Sequence, residues 1–298
     1  ISDNPQDYSS LYNLLYAYDQ LNKTDEAIVV LNEVLEIDPY SEVAWHQLGL
    51  VLLKKGHQKE ALSAFDFAII SDDTFTGAYI EKGKLLEAMG RVNEAIDNYE
   101  IALNTNDPSA FVFQCIGRCH ENLANTELAT KFYLKAIHIE PSNENSWASL
   151  IEFFIKQKLY KKAKEYFKRS LEVNSDSPVL WKKGIQIYTA LNQHDKALIA
   201  FEKLYDLGVY ELDIILDHID LYLQLGQWSK AISITNEAYK SFPKNRALAM
   251  RLGGCSLELG KTGEARYFLN LEELSQLEYI ELYKLFPSLE QFKKGESL

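Results

Sequence analysis

The sequence predicts an all-α solenoid of helix–turn–helix units. Three observations predict it: a strict 34-residue period, an alanine at one fixed place in every period, and turn residues at another. Stepping by 34 places the unit starts at Tyr8, Glu42, Thr76, Ala110, Glu144, Pro178, Leu212 and Arg246. Eight complete units then run to Tyr279 with no insertion or deletion.

The alanine comes at the twentieth place: Ala27, Ala61, Ala95, Ala129, Ala163, Ala197, Ala231 and Ala265. A small residue there lets two helices cross closely, and a larger one would overpack the crossing by about 1–3 kcal/mol. Four places on comes a bulky residue: Leu31, Phe65, Tyr99, Tyr133, Phe167, Phe201 and Leu269, with Thr235 the departure. The fourth place favours large rings, as in Trp45, Tyr79, Phe113, Trp147 and Trp181. Between the two helices of a unit stand Gly56, Gly90, Gly226 and Gly260, with Asn22 and Asn192 as the usual substitutes for a left-handed residue. Pro39, Pro141 and Pro243 end the second helix of their units.

This combination of spacing, residue size and turn chemistry resembles the tetratricopeptide repeat family over essentially the whole chain. The resemblance implies a right-handed α-solenoid whose first helices line a concave groove. Two departures are mild. Gly184 stands one place early for the family's small residue, and the first helix of the seventh unit is poor in large rings, which predicts looser packing there. The stretches Ala44 to Gly49 and Phe65 to Asp73 are similar to long, uncharacterised tetratricopeptide proteins of Bacteroidetes-type bacteria, a likeness that brings no known activity.

The bulk composition agrees with helices. Hydrophobic residues make up 47% of the 298, and only 14 Gly and 7 Pro interrupt them. A net charge of -12 argues against nucleic acid and anionic membrane as partners, because phosphate binding needs a dense cationic face. The longest apolar stretches, such as Leu48 to Leu53, fall far short of the roughly 20 residues that span a bilayer. Three cysteines suggest no disulfide framework, and a reducing, cytoplasmic setting is the natural expectation. At the ends, Pro5 holds the terminating-proline place of a preceding repeat, so residues 1–7 read as its remnant. Residues 280–298 break the period and read as a cap: short helices at Ile280 to Phe286 and Leu289 to Lys294 around Pro287, with a polar tail of Glu290, Lys293, Lys294 and Glu296.

At about 100° per residue, places 4, 7, 8 and 11 of each first helix share the core side. Places 2, 5, 9, 12 and 13 lie opposite, on the groove side that the resemblance implies. Lys54, Lys84, Arg118, Lys156 and Lys182 fall on that ladder, with Gln114, Asn122, Asn145 and Gln186 beside them. Asn and Gln can hold the backbone of an extended peptide, and Arg can grip a carboxylate with two hydrogen bonds. Glu87, Glu121 and Glu152 dilute the positive stripe, and Asp213, Asp217 and Asp220 reverse its sign in the seventh unit. The Lys–Asn–Asn–Lys–Arg carboxylate clamp of chaperone-binding members is not present as a set. Tyr12, Tyr16 and Phe111 lie off the packing period and are expected to be exposed.

No catalytic motif appears, and no cofactor is expected. Cys115, Cys119 and His120 have metal-like spacing, but Cys119 and Cys255 hold the tenth place of their units, a packing position, and no fourth ligand converges. The expected function is a non-catalytic scaffold that binds a protein or peptide in the groove, an acidic segment of the partner being one option. Two alternatives stay open: a regulatory or substrate-recruiting module of a larger enzyme, and a self-associating structural element.

Overall fold

The computed structural model describes residues 8–105, 109–269, 275–286 and 288–289. Among these residues there are seventeen α-helices and no strand. The chain divides into two compact units, residues 1–175 and 176–298.

The N-terminal unit holds five helix pairs: α1 (Tyr8–Gln20) with α2 (Thr24–Ile37), α3 (Glu42–Lys54) with α4 (Gln58–Ser71), α5 (Thr76–Ala88) with α6 (Val92–Thr105), α7 (Ala110–Asn122) with α8 (Thr126–Ile139), and α9 (Glu144–Lys156) with α10 (Tyr160–Leu171). The C-terminal unit holds α11 (Pro178–Ala190) with α12 (His194–Asp206), α13 (Leu212–Gln224) with α14 (Trp228–Ser241), α15 (Arg246–Glu258) with α16 (Thr262–Leu269), and a last helix α17 (Gln276–Leu285). All eight first helices begin at the residue the 34-residue period predicts.

The helix starts have local causes. Ser41, Ser177 and Asn245 each accept a hydrogen bond from a backbone N–H three residues on, and Asn143 accepts from Asn145 and Ser146. Each such cap contributes about 1 kcal/mol. The fifteenth place of every repeat is left-handed. Gly56, Gly90, Gly226 and Gly260 take it as predicted, as do Asn22 and Asn192. Ala124 (φ 55°) and Lys158 (φ 57°) take it too, without the residue type that makes it cheap.

The period alanines are all buried, seven of them completely. In four repeats the bulky partner four places on lies against a glycine in the first helix of the same repeat. A Cβ built on Gly49 would stand 2.4 Å from the Phe65 ring, on Gly83 2.6 Å from Tyr99, and on Gly117 3.0 Å from Tyr133. The pairs interlock because a ring fills the space a side chain would need. In the repeats beginning at Glu144 and Pro178, Ile151 and Ile185 hold the glycine's place, opposite Phe167 and Phe201.

The cross-repeat joints are equally regular. Trp45 donates its indole N–H to the Pro39 carbonyl at 2.9 Å, and Trp147 donates to Pro141 at 2.8 Å. These two fourth-place Trp residues thus tie their helices to the proline that closes the preceding one. Within the N-terminal unit, successive first helices touch: α3 with α5, α5 with α7, α7 with α9. Each first helix also packs on its own second helix and on the preceding one. Such helices are covered on three sides, so the third and tenth places are buried as well: Ala44, Ala78, Val112 and Ser146, and Leu85, Cys119 and Phe153.

At the C-terminal end the period is cut short. A capping box of Ser275 and Glu278 starts α17 at Gln276, four residues ahead of the predicted boundary. The helix predicted at Ile280 to Phe286 is the latter part of α17. Phe286, fully buried, lies against Gly254, where a Cβ would meet its ring at 2.3 Å. The predicted remnant at residues 1–7, the helix Leu289 to Lys294 beyond its first residue, and the polar tail lie outside the described residues.

Candidate functional site

In the N-terminal unit the predicted ladder is a set of linked contacts running from one first helix to the next. Arg118 on α7 donates its Nε and one Nη to the two carboxylate oxygens of Glu87 on α5, at 2.6 and 2.9 Å. Tyr99 donates its hydroxyl to Glu87 from below at 3.4 Å, and Asn122 reaches it at 3.5 Å. One repeat on, Lys156 of α9 pairs with Glu121 of α7 at 2.9 Å, and the Tyr133 hydroxyl donates to Glu121, also at 2.9 Å. Gln114 donates to Ser146 and accepts from Ser149, joining α7 to α9 a second time. Burial raises the Tyr99 and Tyr133 phenols, so both stay protonated and keep donating.

Glu87 and Glu121 are only 12% exposed, whereas Arg118 and Lys156 keep about half their side-chain surface, 46% and 57%. The carboxylates are therefore anchors beneath an exposed polar layer. The expected positive stripe is neutralised on its own surface. Lys84 and Arg118, one repeat apart, do not act as a cationic pair: Lys84 binds Glu81 of its own helix at 2.7 Å and lies 5.0 Å from the Phe111 ring centroid. Lys54 and Asn145 are exposed, as are Tyr12, Tyr16 and Phe111. The partners Glu87, Glu121, Ser146 and Ser149 were not singled out as site residues by sequence reasoning. One signal could have found the first of them. Glu87–Arg118 is spaced by 31 residues, and so is the ion pair Asp220–Arg251.

In the C-terminal unit, Lys182 binds Glu211 at 2.6 Å and Gln186 is exposed. The acidic stretch of α13 is partly compensated, because Arg251, itself buried, holds Asp220 through two hydrogen bonds of 2.6 Å. Desolvation and the nearby Asp220 and Asp213 raise the Asp217 carboxyl.

The cysteines are packing residues. Cys115, Cys119 and Cys255 are free and buried, and burial pushes Cys119 and Cys255 up to about 12. His120 stacks on Phe132 at 5.4 Å. Among the described residues no three His, Cys, Asp or Glu side chains are grouped to hold a metal, and no helix is long and apolar enough to cross a membrane.

Profiles of the tetratricopeptide repeat match residues 8–41, 116–143 and 152–177, and a second form matches 216–276. Anaphase-promoting complex subunit 3 of Schizosaccharomyces pombe is 24% identical over 222 residues, covering 74% of this chain and 32% of that protein. TPR repeat-containing protein MJ1428 of Methanocaldococcus jannaschii is 23% identical, covering 94% of this chain and 60% of its own length. The chain thus spans less than two thirds of either relative. Among solved structures, the C-terminal part of a TPR repeat-containing protein from Cytophaga hutchinsonii superposes with a TM-score of 0.63 at 18% identity, covering 81% of this chain and 99% of that one. A tetratricopeptide repeat protein from Parabacteroides merdae gives 0.55 at 15% identity, covering 85% and 99%. Similarity at these identities establishes the fold. With the period, the helix pairs and the matched profiles in agreement, the chain belongs to the tetratricopeptide repeat family.

Proposed function

We propose that the chain is a non-catalytic protein-interaction scaffold that holds an extended segment or helix of a partner on the first helices α3, α5, α7 and α9. The observation that carries this is the ladder of contacts between successive first helices. It fixes Arg118, Asn122 and Lys156 in place before any partner arrives, so little side-chain entropy is lost on binding. Exposed amides at Asn122 and Asn145 offer hydrogen bonds to a peptide backbone, and Phe111 offers an exposed ring of a type enriched at binding hot spots. An acidic partner segment would share Arg118 and Lys156 with Glu87 and Glu121, which makes the binding modest and salt-dependent. The relative from Schizosaccharomyces pombe is by name a subunit of a multiprotein complex, in keeping with this role.

The test exchanges the two charges, Glu87→Arg with Arg118→Glu, which keeps an ion pair between α5 and α7 while reversing its surface. Wild type and variant are compared by affinity capture from source-cell lysate, with helical content followed by circular dichroism. A partner captured by wild type and lost by an equally helical variant supports the site. Equal capture by both would refute it.

A further inference from the structure

The net charge of -12 conceals a strong local imbalance. Residues 158–169 carry Lys158, Lys161, Lys162, Lys164, Lys168 and Arg169 against a single acid, Glu165. Residues 24–37 carry Asp25, Glu26, Glu33 and Glu36 and no Lys or Arg. The first stretch is α10 with the turn before it, and the second is α2; both are second helices of the N-terminal unit.

Packing fixes which way each set of charges points. On α10, Ala163, Phe167 and Ser170 are buried, and at about 100° per residue Lys161, Lys168 and Arg169 fall on the opposite side, where they are exposed together with Lys162. On α2, Ala27, Leu31, Val34 and Leu35 are buried, and Asp25, Val29, Glu33 and Glu36 form the exposed opposite side. Lys156 and Glu121 pair with each other, whereas Lys161, Lys162, Lys168 and Arg169 make no ion pair among the described residues. Lys162 and Arg169 instead lie over the rings of Phe154 and Tyr166, at 5.7 and 5.2 Å. On α2, Lys23 engages Glu26 and Lys55 engages Asp25, which leaves Glu33 and Glu36 outside any ion pair among the described residues. Each face also has apolar surface to bury: Val29 and Ile37 on α2, Leu159 and Val173 at the two ends of α10, all exposed.

The basic face is short. The 12 residues of α10 span about 18 Å, and the rest of the chain is strongly acidic. A long polyanion or an anionic bilayer would extend past the patch into that field, whereas a short acidic helix would not. The chain carries such a helix, because the 14 residues of α2 span about 21 Å. We propose that α10 of one chain docks on α2 of a second copy, basic face against acidic face. The contact joins two different surfaces, so each copy keeps one of each free and association continues beyond the dimer unless the arrangement closes. A contact of two helices is small, which places it among the weak, transient class. It lies on second helices and does not rest on the scaffold reading, which uses first helices.

Sedimentation of the full chain is followed from about 10 µM to about 200 µM at about 0.1 M salt, where long-range repulsion between the acidic copies is screened. Association is expected, weaker by about tenfold at about 1 M salt. Glu33→Lys with Glu36→Lys, and separately Lys161→Glu with Lys168→Glu, should each weaken it by about tenfold or more at unchanged helical content. All four substitutions in one chain leave the net charge as it was and should restore association, because the two faces are then exchanged. A wild type that stays monomeric, association indifferent to either pair, or no recovery in the fourfold variant would overturn the proposal. So would a monomeric wild type that binds single-stranded oligonucleotide or phosphatidylserine vesicles through α10, since the face would then belong to an extended polyanion.

Discussion

Replacing Gly83 by alanine tests the interlock between the two helices of a repeat. The added methyl would stand 2.6 Å from Tyr99 Cε1 and 2.9 Å from Cδ1 and Cζ. Carbon atoms prefer about 3.5–4.0 Å, so the ring would have to retreat by about 1 Å. Tyr99 is fully buried, and its hydroxyl reaches Glu87, the carboxylate that holds Arg118. Retreat would disturb both the core and the ladder. Alanine recovers about 1 kcal/mol of helix propensity, against about 1–3 kcal/mol of overpacking. The expected net is a loss of up to about 2 kcal/mol. Gly117→Ala is the internal control, because its methyl would meet Tyr133 at 3.0 Å and a shift of a few tenths of an ångström suffices. Its overpacking roughly cancels the propensity gain. Urea denaturation of the two variants should separate them by about 1–2 kcal/mol. Equal midpoints, or a Gly83→Ala variant more stable than wild type, would refute the interlock as the source of the close approach.

Four further outcomes follow from the geometry. Ala124→Gly relieves a left-handed alanine and should stabilise by up to about 1 kcal/mol in thermal melts, the greater freedom of glycine in the unfolded chain offsetting part of the gain. Arg251→Ala leaves Asp220 without its buried partner and should cost about 3–5 kcal/mol by denaturation; Arg251→Lys should recover only part, since an ammonium cannot make the paired contact. Hydrogen bonds from Arg246 and Ser275 hold Glu278 down to about 2, so its stabilisation is complete above the unfolded value of about 4.3 and fades as pH falls toward 2. The protection of α17 amides against hydrogen exchange, corrected for the intrinsic rate at each pH, should fall over that window in wild type; Glu278→Gln should be less protected already at neutral pH and change little over the same window. His218 is held near 4 by burial, so the unfolded chain binds the proton first and stability should decline as pH drops from about 6.5 to about 4; His218→Phe should flatten that part of a stability-against-pH curve.

The sequence by itself determined the fold. Residue size at the fourth, twentieth and twenty-fourth places, and turn chemistry at the fifteenth, recur with the chain period, and local sterics turn that repetition into helix pairs with matching starts. Even the exceptions were legible. Gly and Asn marked most of the left-handed turns, and the missing ring at Ile215 marked the loose repeat, where a cavity of about 430 Å³ lies between α12, α13 and α14. The capping box at Ser275 was readable too, but the 34-residue frame drew the boundary four residues late. Only the tertiary structure decided how the polar face is wired. A helical wheel places Lys84, Arg118 and Lys156 on one side of their helices but says nothing of the neighbouring helix. Packing set the offset that brings Glu87 to Arg118 and Glu121 to Lys156, and so made a row of cations into anchored ion pairs. It likewise buried the third place, because each first helix is covered from several directions at once. His218 Nε2, which has no hydrogen-bond partner among the described residues, came to light the same way: a histidine at a packing position reads as core, and whether a partner meets each nitrogen depends on helices that are distant in sequence.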